Sequence, residues 1–92
     1  MVLQRAVRGV VRGRVQGVAY RASLRREALV RGSTGWVCNR PDGSVEFVVQ
    51  GDSGAVQEIL DWARTGPASA RVTDVVTRET DFDPGLTHFE IR

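Results

Sequence analysis

The segment Gly13-Arg14-Val15-Gln16-Gly17-Val18-Ala19-Tyr20-Arg21 combines residue types and spacing suited to holding a small anion. Gly13 and Gly17 permit a tight backbone loop. The residues beyond that loop read as a helix that opens on basic residues, with no Ser, Thr, Asp or Asn to cap it. The opening N–H groups of a helix need acceptors and its positive end disfavours cations, so Arg14 and Arg21 destabilise such a start unless something anionic sits there. Loop N–H groups converging on a helix N-terminus, with a guanidinium beside them, make a phosphate site. Val15, Gln16, Gly17, Val18, Ala19 and Tyr20 are the candidates to cradle it, and Arg21 can bind its oxygens bidentately.

A second segment, Gly35-Trp36-Val37-Cys38-Asn39-Arg40-Pro41-Asp42-Gly43-Ser44-Val45, places a neutral amide just before a turn. Asn39 offers both a donor and an acceptor, which suits holding a water in line with a phosphorus atom without competing as an anion. Local sequence leaves an alternative for each candidate. Arg21 reads equally as a solvated helix arginine like Arg25 and Arg26, and Asn39 as a brace for the adjacent turn.

Taken together, in order and spacing, the two segments resemble the two signatures of the acylphosphatase family. The closing Phe89-Glu90-Ile91-Arg92 is similar to that family's last strand, so the resemblance spans the whole chain. Two departures stand out: Tyr20 where the family more often has Phe, and Ser33 in a linker where an apolar residue is commoner. The resemblance implies a ferredoxin-like fold and hydrolysis of acyl phosphates, with the catalytic arginine falling on Arg21 and the catalytic asparagine on Asn39.

The absences agree with that chemistry. The single His88 and single Cys38 give neither a Ser-His-Asp set nor a metal constellation, and no Asp or Glu cluster offers a Mg²⁺ site. The reaction should therefore be undemanding. An acyl phosphate is a mixed anhydride whose leaving group is a carboxylate of pKa about 4–5, so it needs no general acid. No metal and no cofactor are expected, and the partners expected are an acyl phosphate and inorganic phosphate.

A chain of 92 residues has room for one domain, 1–92, with one core. It lacks a long apolar run and a signal-like start, and its lone cysteine suits a reducing compartment, so a cytoplasmic monomer without membrane attachment is expected. All thirteen basic residues are Arg; nine of them fall in residues 1–40 against one acid, while residues 41–92 hold four against ten acids. The resulting field can steer small anions toward the loop, though it would also serve a nucleic acid. Arg8, Val10 and Arg12 supply charge without an aromatic stacking platform, so no nucleic-acid partner is expected. A regulatory domain that keeps the phosphate loop for binding alone is the other rival, and Asn39 argues against it.

The elements that must position these residues emerge from periodicity. Residues 5–13 read as a first strand, and Tyr20, Leu24 and Ala28 line one face of a helix over 19–31 that Gly32 stops. A strand over 34–40 enters a type I turn at Arg40-Pro41-Asp42-Gly43, and Val45, Phe47 and Val49 mark the return strand. Asp52 or Ser53 caps a second helix with Val56, Ile59, Leu60 and Ala63 as its stripe, ended by Gly66-Pro67. Strands over 70–79 and 88–91 close the chain, with His88 at the surface and Trp36 and Phe47 packing on the sheet. The order β-α-β-β-α-β plus a terminal strand predicts an α+β ferredoxin-like sandwich, two helices on one face of an antiparallel sheet.

Overall fold

Those patterns resolve, in a computed structural model that describes residues 3–92, into β1 (Gln4–Arg14), α1 (Tyr20–Val30), β2 (Thr34–Asn39), β3 (Val45–Asp52), α2 (Ser53–Ala63), β4 (Arg71–Glu79) and β5 (Phe89–Ile91). The strands form one sheet in the order β4-β1-β3-β2-β5. The first four pair antiparallel, with Val7 opposite Val49 and Trp36 opposite Val48. β5 joins parallel to β2, Gly35 beside Phe89, so the terminal strand makes the sheet mixed.

One face of the sheet carries the core. Val7, Val11, Val37, Val45, Phe47 and Val49 meet Tyr20, Leu24 and Ala28 of α1 and Val56, Ile59, Leu60 and Ala63 of α2, all buried. Burying each large apolar side chain contributes about 1.5–3 kcal/mol. Of the two candidate caps for α2, Asp52 serves: its Oδ1 accepts from the N–H groups of Gly54 at 2.8 Å and Ala55 at 3.4 Å.

Two features depart from simple alternation. The β1–β4 register shifts where Arg12 faces Asp74 but Gly13 faces Val72, so Thr73 is extra on β4. Val72 and Val75, three positions apart, therefore both pack on the core while Val76 stays exposed. A Cβ on Gly13 would lie 2.1 Å from the Arg71 carbonyl oxygen, so this glycine answers to the close approach of β4 more than to the loop beyond it. The other feature stems from the topology: β4 and β5 lie at opposite edges, and the chain between them crosses the sheet face that carries no helix. There the buried Gln50 side chain donates to Asp83 O at 2.7 Å and accepts from Asp83 N–H at 2.9 Å.

The C-terminus of α1 gives physical meaning to the unusual Ser33. Gly32, at φ 68°, donates to Leu29 O at 3.2 Å, and Ser33 N–H donates to Ala28 O at 2.9 Å, the paired bonds of a Schellman motif. That motif commonly places an apolar side chain where Ser33 stands. Its side chain is buried, and its Oγ has no partner among the described residues. Ser33→Ala should accordingly raise stability by about 1 kcal/mol, because deleting an unsatisfied buried hydroxyl removes its desolvation cost. Calorimetry should show Tm higher by about 4–8 °C, and an equal or lower Tm would mean that the hydroxyl is satisfied.

Candidate active site

Residues 15–19 carry the chain from β1 into α1, and buried side chains peg them at both ends: Val15, Val18 and Tyr20 all pack into the core. Between these pegs the backbone is left-handed twice, at Gly17 (φ 74°) and at Ala19 (φ 63°, ψ 24°). No atom lies within 4 Å of a Cβ built on Gly17, so only its φ calls for glycine. Ala19 is the N-cap residue of α1 and has no side-chain oxygen to give, so the helix start is uncapped as the sequence indicates. The first N–H after the loop to find a main-chain acceptor is that of Ser23, which donates to Ala19 O at 3.0 Å. The preceding N–H groups of the first turn remain free as donors among the described residues.

Three side chains tie the loop and the start of α1 to their surroundings. Tyr20 Oη donates to Ala63 O at 2.7 Å, satisfying a carbonyl in the last turn of α2; burial raises the hydroxyl's pKa. Ser69 Oγ donates to Val18 O at 3.0 Å, and Gln16 Nε2 donates to both Arg40 O (2.8 Å) and Ser44 O (2.9 Å).

A cavity of about 180 Å³ lies at this loop. Its walls are Val15, Gly17 and Ala19 of the loop, Tyr20, Arg21 and Ala22 of α1, Asn39 at the end of β2, and Ile91 of β5. Asn39 faces it because it shares the helix-side parity of Gly35 and Val37. Arg21 Nη1 donates to the main-chain oxygen of Arg92 at 3.2 Å, which leaves most of the guanidinium's N–H groups for another acceptor.

The turn after Asn39 has the expected form. Gly43 N–H donates to Arg40 O at 3.1 Å, Arg40 N–H to Ser44 O at 2.8 Å, and Asp42 Oδ1 accepts from Ser44 N–H at 3.0 Å and Ser44 Oγ at 2.5 Å. These two Ser44 bonds, with the nearby Arg12 guanidinium, hold the Asp42 carboxyl down at about 2. A lowered pKa favours the folded state above the ordinary carboxylate range, so this support for the turn fades only as pH falls toward about 2.

The cavity thus unites most of the residues singled out in the sequence, with two differences. Val18 sends its side chain into the core, and Gln16 turns its carboxamide away to the 40–44 turn; neither lines the cavity. Ala22 and Ile91 line it without having been singled out as site residues. Ile91 could have been found from strand parity, two positions beyond the buried Phe89. His88 is exposed, its Nε2 2.9 Å from Glu90 Oε1. Cys38 lies on β2 with parity opposite to that of Asn39. A larger cavity of about 570 Å³ opens on the helix-free face, but its lining arginines, Arg8, Arg40 and Arg78, are matched in number by Glu46, Glu79 and Asp81, which leaves no net charge to select a ligand. Among the described residues, no three His, Cys, Asp or Glu side chains group as metal ligands, and no helix is long and apolar enough to cross a membrane.

Comparison with known proteins places this geometry in context. Residues 7–91 match the family model described as Acylphosphatase. An acylphosphatase of Methylococcus capsulatus is 50% identical over 82 residues, covering 89% of this chain and 89% of the relative. Among solved structures, an acylphosphatase from Bacillus subtilis superposes with a TM-score of 0.91 at 36% identity, covering 98% of this chain and 99% of that one. One from Coxiella burnetii gives 0.92 at 32% identity, covering 97% and 93%.

An uncapped helix start with unpaired donors predicts anion-linked stability. At phosphate or sulfate concentrations about 100 times Kd, stability should rise by about 2.7 kcal/mol. A melting curve that does not move in tens of millimolar phosphate would show that the loop binds no anion.

Proposed function

The chain belongs to the acylphosphatase family, and from that premise we propose how it hydrolyses an acyl phosphate to a carboxylate and inorganic phosphate. The main-chain N–H groups of residues 15–20 and the Arg21 guanidinium bind the phosphoryl oxygens, and Asn39 holds the attacking water in line with phosphorus. The new bond forms between the water oxygen and phosphorus. The bond from phosphorus to the acyl oxygen breaks, the carboxylate leaves with the electron pair, and a phosphoryl oxygen takes the water's proton. Because the leaving group is a weak base, positioning and charge stabilisation suffice and no general acid is needed. In this reading the enzyme works as a cytoplasmic monomer without a metal ion, and the arginine-rich residues 1–40 steer the anionic substrate.

What carries the reading is that Arg21 and Asn39, from separate elements, line one small cavity with the uncapped start of α1. A module that merely stores phosphate would need the loop and Arg21 but gives Asn39 no task.

Turnover of benzoyl phosphate tests the assignment. Asn39→Ala should bind phosphate as an inhibitor almost normally yet lose about 10²–10³-fold in both kcat and kcat/KM, as expected when an interaction made chiefly in the transition state is removed. A destabilised but active Asn39→Ala would reduce Asn39 to a brace for the turn. Arg21→Lys keeps the charge but not the planar fork, so both turnover and phosphate affinity should drop; near-normal kinetics in this folded variant would make Arg21 a surface residue.

A further inference from the structure

The phosphate loop and the strand that carries Asn39 are neighbours only through their ends. The β1–β3 ladder stops at Val11 opposite Val45, and the β2–β3 ladder stops at Asn39 opposite the same Val45. Beyond Val45 no strand pairing among the described residues relates residues 15–19 to Asn39. Two side-chain links between described residues cross the gap. One is the Arg12–Asp42 ion pair at 3.3 Å, about half exposed on each side and so contributing little. The other is Gln16, half-buried, whose single Nε2 spans the mouth of the turn from Arg40 O to Ser44 O.

Both acceptors are already engaged in closing the turn, since Arg40 O accepts from Gly43 N–H and Ser44 O from Arg40 N–H. Gln16 therefore locks the turn in its closed form and ties it to the loop at one point. Arg40 is bonded directly to Asn39, so the clamp acts one peptide from the amide that faces the cavity.

We infer that Gln16 is a positioning residue, which sets the distance between the bound phosphoryl group and the water held by Asn39 by clamping the 40–44 turn to the loop. This rests on the role proposed above for Asn39. Gln16 supplies its main-chain N–H to the loop but keeps its side chain off the substrate. Loss of the carboxamide should thus leave anion binding intact and damage chemistry, because a small misplacement of a reacting group can cost about 10²-fold in rate.

The test uses Gln16→Met, which keeps length and loses both donors, and Gln16→Glu, which keeps length and turns oxygen toward two carbonyls. Each is measured on benzoyl phosphate for kcat and KM, for inhibition by inorganic phosphate, and for Tm. For Gln16→Met the expected result is a fall in kcat of about 10²-fold with phosphate inhibition and Tm near those of the parent chain, and Gln16→Glu, whose carboxylate is repelled by both carbonyls, should lose at least as much kcat. Combined with Asn39→Ala, Gln16→Met should add almost nothing further, because both changes remove the same arrangement. Unimpaired kcat in folded Gln16→Met, a rise in the phosphate inhibition constant that matches the loss of kcat, or losses that multiply in the double variant would each overturn the proposal. A fully active Asn39→Ala would overturn the role of Asn39 and this inference with it, whereas a crippled Asn39→Ala beside a normal Gln16→Met overturns the inference alone.

Discussion

Between Arg14 and Tyr20 the chain must pass from strand to helix without committing the intervening N–H groups to its own carbonyls, and the two left-handed residues at Gly17 and Ala19 accomplish this. Glycine adopts that conformation freely. Alanine does so at a cost of about 1–2 kcal/mol, which persists because the surroundings fix the loop from several directions. Val15, Val18 and Tyr20 are buried on either side of it, and Tyr20, Ser69 and Gln16 bond it to three other parts of the fold. An alanine held left-handed next to an uncapped helix is a local sacrifice of stability, and the core of sheet and helices makes it tolerable.

The rest of the architecture places two further walls against that loop. β2 delivers Asn39 on its helix-side face, and the parallel β5 brings Ile91 beside it, with Arg25 Nε bonded to Phe89 O at 3.1 Å and Arg21 to the Arg92 oxygen. β5 can reach that edge only because the chain crosses the helix-free face, where Gln50 and Asp83 hold it down. The same face carries Trp36, with the Arg92 guanidinium 4.9 Å and the Arg8 guanidinium 5.8 Å from its ring centroid. Attraction of these cations to the indole leaves the tryptophan half-buried without a helix to cover it.

Much of this was written in local sequence. The stripe Val56, Ile59, Leu60 and Ala63, the Asp52 cap, the turn at Pro41-Asp42-Gly43 and the Gly32 stop each rest on a few adjacent residues, and each occurs in the fold. The convergence of Arg21 and Asn39 was legible through their two motifs. The bulge at Thr73 was not, because a register shift depends on which strand lies alongside. Nor was the direction of Gln16, whose carboxamide answers to the carbonyls of Arg40 and Ser44, distant in sequence and brought near only by the sheet. Parallel pairing of β5 was equally hidden, since three residues of alternation do not state a strand's direction.

The position of β1 inside the sheet, between β4 and β3, also bears on how the molecule comes into being. Its partners β3 and β4 are remote in sequence, Val7 facing both Val49 and Glu79, so neither ladder can form without closing a long loop. Helices like α1 nucleate in microseconds, whereas sheets dominated by such distant pairings assemble in milliseconds to seconds. The cavity draws its walls from the β1–α1 loop, from β2 and from the last strand, and is complete only after β5 has docked. During refolding, helical signal and compaction should return first, and the first turnover should mark the arrival of the final strand.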